Sequence, residues 1–139
     1  MSDANVALVR RWITAFNAEE IDELPTLVHP DIEWRDRMHA PDVPEVVHGM
    51  AALELLAAQW EAAYDSLKVE VLEYIDADPW VICVARWRAE SKGSGIEVDV
   101  RSVDAYEVED ELIKRSWGGF ADLQAAREAL GLEGLAGAG

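Results

Sequence analysis

Between Ile96 and Val108 the chain alternates with the period of a β-strand. Ile96, Val98, Val100, Ser102, Asp104, Tyr106 and Val108 share one face. Glu97, Asp99, Arg101, Val103, Ala105, Glu107 and Glu109 share the other. The first face is mostly apolar and is expected to be the buried one. Asp104 therefore points inward from the middle of a strand. A carboxylate in that position must be paired, be protonated, or line a cavity. A satisfied structural carboxylate and a functional one are both compatible with the pattern.

The rest of the chain has to supply the cover for that face. Its 139 residues fit one domain with one core, expected over residues 1–131, followed by a Gly/Ala-rich tail, 132–139, expected to fray. A first helix is predicted from Asp3 or Ala4 to Asn17, with Asp3 as N-cap and an apolar stripe of Leu8, Val9, Trp12, Ile13 and Phe16. A second, short helix is predicted over 20–28 despite Pro25, then a strand over 32–35 and a proline-rich loop. Gly49 precedes a third helix, Met50 to Tyr64. Strands follow over 67–76, 80–91, 96–109 and 112–117, with turns at 77–79, 92–95 and 109–111. Gly118-Gly119 is expected to end the last strand. Asp122 can cap a final helix, 123–130, stopped by Gly131. The expected fold is α+β: a cone-shaped, curved antiparallel sheet packed against three helices from the N-terminal half, with a short C-terminal helix. The interior of such a cone is either filled by large side chains or open as a pocket.

A formal net charge of −16 repels phosphate backbones and anionic lipid surfaces, so neither nucleic acid nor a membrane is an expected partner. No basic or apolar signal segment opens the chain, and no apolar run approaches the ~20 residues of a membrane span, so the cytoplasm is the expected compartment. Cys83 is the single cysteine and lies in an apolar strand, so it reads as a small buried hydrophobe. His39 and His48 bracket Asp42 and Glu45, but without helical His spacing, and no metal or cofactor is expected. Nucleophilic triads, phosphate-binding glycine loops and dinucleotide fingerprints are absent from the sequence.

Several strings in order resemble the nuclear-transport-factor-2-like superfamily, and within it SnoaL-like proteins and ketosteroid isomerase. They are residues 9–18 (VRRWITAFNA), 27–36 (LVHPDIEWRD), Gly49 at the start of the third helix, and Val103-Asp104-Ala105-Tyr106. The segments 112–115, 120–122 and 129–132 resemble a SnoaL-like ending. The resemblance spans about residues 6 to 131. It implies isomerase-like positions: Asp36 matches the proton-shuttling aspartate, and Asp104 matches the protonated aspartate that hydrogen-bonds a developing oxyanion. In that isomerase the two carboxyls are held in opposed protonation states by their surroundings. Trp12 stands where the isomerase has an oxyanion-hole tyrosine, and indole donates without accepting.

The chemistry is coherent in its own right. Proton transfer alpha to a carbonyl needs a carboxylate base and donors aimed at the enolate oxygen. The expected function is thus binding of a small hydrophobic molecule, with cofactor-free isomerase or polyketide-cyclase chemistry on a cyclic ketone-like compound. Asp36 and Asp104 are the catalytic candidates. Trp12, Phe16, Trp60, Tyr64, Trp87, Ser102, Tyr106 and Trp117 are the substrate-binding candidates. Each has a structural alternative. Asp36 could pair with Arg35 or Arg37, and the aromatic residues could be core. A non-catalytic binder is the second reading. An epoxide hydrolase is the third, because Asp99 and Arg101 have a suitable spacing, although they lie on the face opposite Asp104. The resemblance also implies a homodimer.

Overall fold

The computed structural model describes residues 2–20, 22–36 and 46–131. The expected tail 132–139, the loop residues Arg37, Met38, His39, Asp42 and Glu45, and the side chains of Asp36 and Trp60 lie outside that description.

The elements run α1 (Ser2–Asn17), a 3-10 turn (Leu24–Leu27), β1 (Val28–Asp36), β2 (Val46–His48), α2 (Met50–Ala63), β3 (Tyr64–Ala77), β4 (Trp80–Ser91), β5 (Glu97–Glu109), β6 (Leu112–Phe120) and α3 (Leu123–Leu130). They form one six-stranded sheet in the order β2-β1-β6-β5-β4-β3. The α+β class and the curved, helix-covered sheet follow the sequence reading.

The structure corrects that reading in three places. The sheet is mixed, because β1 joins β6 in parallel while the other pairings are antiparallel. The second N-terminal helix is a single 3-10 turn, with Pro25 at its start. Proline fixes φ and lacks an N–H, so it suits that first position but cannot sit inside a longer α-helix. Finally, Gly118-Gly119 does not end the last strand, which continues to Phe120.

The sheet has an apolar cluster on each face. On the concave face, Leu8, Val9, Trp12 and Ile13 of α1 pack with Ile32, Trp34, Val69, Val81, Cys83, Ala85, Tyr106 and Ile113. This is the amphipathic stripe the helical spacing predicts. On the outer face, Trp80, Ile82, Val103, Ala105 and Phe120 pack with Ala126 of α3. The segment Ser102 to Tyr106 is consequently buried on both faces.

The joints are specific. The Asn17 side chain at the end of α1 pairs with the Val69 backbone in both senses, Nδ2 donating to the carbonyl at 2.8 Å and Oδ1 accepting from N–H at 2.9 Å. Asp122 caps α3 by accepting from the Ala125 N–H, and Gly131 ends it with φ 73°.

Candidate functional site

Asp104 sits mid-way along β5 with its carboxylate on the concave face and only 6% of the residue exposed. Cys83 of β4 is its cross-strand neighbour. Its partners include three hydrogen-bond donors. The Trp87 indole N–H donates to Oδ2 at 3.0 Å. The Gly119 backbone N–H donates to Oδ1 at 2.9 Å. The Ser102 hydroxyl lies 3.2 Å from Oδ1 and 3.4 Å from Oδ2. A buried carboxylate without such partners would be costly, and these bonds offset the desolvation.

The sequence reading missed what lies opposite Asp104. Val103 pairs with Phe120 and Ala105 with Trp117, so Gly118 and Gly119 together oppose a single residue. This is a β-bulge. Gly119 takes φ 80°, a left-handed conformation that suits glycine. Gly118 is small for a different reason. A Cβ there would lie 2.9 Å from Asp104 Oδ1, inside van der Waals contact. The signal was present as a Gly-Gly pair near the end of a strand, where glycine marks a bulge as readily as a break.

Trp12, 3% exposed, packs at 5.9 Å from the Trp34 ring, and its indole N–H hydrogen-bonds the Tyr106 hydroxyl. Tyr106 is buried too. Desolvation, reinforced by the Asp104 charge, pushes its phenol well above the ordinary tyrosine range. The Cys83 thiol is likewise pushed up by burial and then by Asp104, so it is neutral and unreactive. Phe16 meets Trp87 edge-to-face at 5.6 Å. Trp12, Phe16, Trp87, Ser102 and Tyr106 therefore belong to one neighbourhood around Asp104.

The remaining candidates fall elsewhere. Tyr64 opens β3 opposite Ser91, four residues along β4 from Trp87, which is roughly 13 Å at the rise of a strand. Trp117 is corrected outright, for it packs in the outer cluster, 5.1 Å from Trp80, and donates to Glu33 Oε2 at 2.6 Å. Asp99 and Arg101 are exposed, and Asp99 pairs with Arg86 on the face away from Asp104. Among the described residues, Asp99 and Arg101 do not join Asp104 in the Asp–Arg–Asp arrangement of an epoxide hydrolase.

Asp36 ends β1, and its backbone is in register with Gly118, the residue that abuts Asp104. Among the described residues, no cluster of His, Cys, Asp and Glu could hold a metal ion, and no helix is long and apolar enough to cross a membrane.

No curated protein matches the chain. Solved structures do. Bal32a, from a soil-derived mobile gene cassette, is 22% identical, with a TM-score of 0.77 over 91% of this chain and 96% of its own. TerC, co-crystallised with polyporic acid, is 18% identical, with a TM-score of 0.76 over 90% and 96%. A candidate SnoaL-like polyketide cyclase from Jannaschia sp. CCS1 is 20% identical, with a TM-score of 0.73 over 92% of both chains. At these identities the likeness concerns the fold. The fold is shared with an NTF2-like protein from Burkholderia pseudomallei, and residues 9–116 match the SnoaL-like domain family, so the chain belongs to that family.

Proposed function

We propose that this chain is a cofactor-free acid–base enzyme acting on a small, hydrophobic, cyclic ketone-like compound, by isomerisation or aldol-type cyclisation. The observation that carries the reading is the buried Asp104 carboxylate, gripped by Trp87, Ser102 and Gly119 among aromatic side chains. Asp36 is the second member of the acid–base pair. Its backbone register beside Gly118 supports that role. One carboxyl removes a proton alpha to the carbonyl, and the electron pair moves onto the oxygen as an enolate. In isomerisation the proton returns at another carbon. In an aldol-type closure the enolate carbon bonds a second carbonyl carbon, whose π electrons move to its oxygen, and that oxygen takes the proton. The polyporic acid in TerC and the designation of the Jannaschia protein are consistent with a cyclic, oxygenated substrate class.

The test is a screen of cyclic ketones and polyketide-like compounds, followed by Asp104→Asn and Asp36→Asn. Each substitution is expected to lower kcat/KM at least about 100-fold, the usual contribution of a positioned acid or base. Unchanged turnover in both variants would refute the assignment.

A second reading, a non-catalytic binder, is favoured by one observation. The Trp12–Tyr106 hydrogen bond and the Trp12–Trp34 contact join α1 to the sheet as ordinary core does. Under it, a ligand binds without turnover, and Asp104→Asn alters stability alone.

A further inference from the structure

Resting on the acid–base reading, we infer that Asp104 is held as a carboxylate, which assigns it the proton-accepting half of the reaction, and that Trp87 and Gly119 are the positioning residues that hold it there. The argument comes from the kind of donor, not from burial. An indole N–H and a peptide N–H donate and never accept. One of them meets each carboxylate oxygen, Trp87 at Oδ2 and Gly119 at Oδ1. Ser102 can turn its hydrogen to either oxygen. Each fixed N–H is accepted more strongly by an ionised oxygen than by a carboxylic hydroxyl or carbonyl. Donors on both oxygens therefore favour the charged form. This reverses the role that the isomerase resemblance implies for Asp104.

The donors are themselves fixed. Trp87 is braced edge-on by Phe16, and Gly119 is turned toward Asp104 by its left-handed backbone. Gly118 keeps the approach clear. The other described titratable and charged groups of this face are Cys83 on β4, Tyr106 on β5, Tyr74 on β3 and Arg10 on α1. Arg10 lies over the Tyr74 ring at 4.3 Å. Burial keeps the Cys83 thiol and the Tyr106 phenol neutral, so they do not compete with Asp104 for the negative charge. In the reaction, a carbon acid passes its proton to Asp104, its bonding electrons become the enolate, and neutral Asp104 returns the same proton to the product. No oxidant or co-reactant is needed.

The test follows the carboxyl carbon of Asp104 by NMR in aspartate-labelled protein from pH 3 to 8, with Asp104→Asn to assign the resonance. Asp104 is expected to be ionised at pH 7. In Trp87→Phe its titration midpoint should rise by about one pH unit, because a charge-assisted donor is lost. The acid limb of the pH–rate profile should move with it, while a purely structural role for Trp87 would leave that limb in place. A protonated Asp104 at pH 7 in the unmodified protein would overturn the inference, even if Trp87→Phe did not fold. An ionised Asp104 combined with full turnover in Asp104→Asn would overturn the acid–base reading instead and leave the charge state standing.

Discussion

Among the described residues, two carboxylates accept a hydrogen bond from a tryptophan, and they lie on opposite faces of the same sheet. Asp104 is 6% exposed, on the concave face, and its other described donors are a hydroxyl and a backbone N–H. The Glu33 side chain is 22% exposed, on the outer face, with Arg35 Nη2 at 4.0 Å and His48 Nε2 at 3.5 Å. Arg35 also lies over the Trp117 ring at 4.9 Å. The same indole–carboxylate pair thus serves two settings. On the outer face solvent and the Arg35 guanidinium share the charge, so the bond contributes little beyond local order. On the concave face the protein has to supply the solvation itself, and fixed donors there govern what the carboxylate can do.

The largest expected separation between the two faces is alkaline. Cys83 and Tyr106 are buried neutral, with folded-state values raised above those of the unfolded chain. Their stabilisation is complete below the unfolded values and declines as pH rises through them. Loss should begin near the ordinary thiol value of 9.0 and steepen past the phenol value of 10.0, at about 1.4 kcal/mol per pH unit per group. Urea unfolding of Cys83→Ala should show a later onset than the unmodified protein. Coincident curves would mean that the concave face is not dry.

A smaller effect is expected from Gly118→Ala, which forces the Asp104 carboxylate or the bulge to move. A cost of about 2 kcal/mol is expected, as for other overpacked sites, read as a lower urea midpoint at unchanged slope. A change below about 0.5 kcal/mol, the size of an ordinary surface substitution, would show that the bulge yields freely. The smallest effect belongs to the outer face. Trp117→Phe removes the donor to the partly exposed Glu33 and should cost about 1 kcal/mol, without altering the Asp104 titration. If it moved that titration as far as Trp87→Phe does, the two faces would be coupled and the contrast would fail.

Much of this architecture is legible from residue order. The α1 stripe, β4, the hairpin turns and α3 with both its caps follow from periodicity and turn chemistry, which are local. The inward aspartate follows from strand parity. Less legible is anything that depends on which strand lies beside which. The parallel β1–β6 pairing joins residues about 80 positions apart, and nothing in either strand marks the other as its neighbour. The strand β2 is three residues long and carries no period to read. Trp117 lies on the face away from the site because an aromatic residue fits either face equally well, and its face is set by the pairing and not by its type. The sequence makes Trp87 a wall of the site. That its N–H rather than its ring meets Asp104 depends on a rotamer the sequence does not encode.

The paired glycines of β6 also have a geometric consequence beyond the site. Alternation along a regular strand would send Trp117 and Phe120, three residues apart, to opposite sides. Both lie in the outer cluster, because the extra residue between them shifts the phase of the strand by one step. Deleting either glycine would therefore turn Phe120 inward and take away the seat of α3. The indentation that accommodates one carboxylate is also the joint that lets α3 close the opposite side.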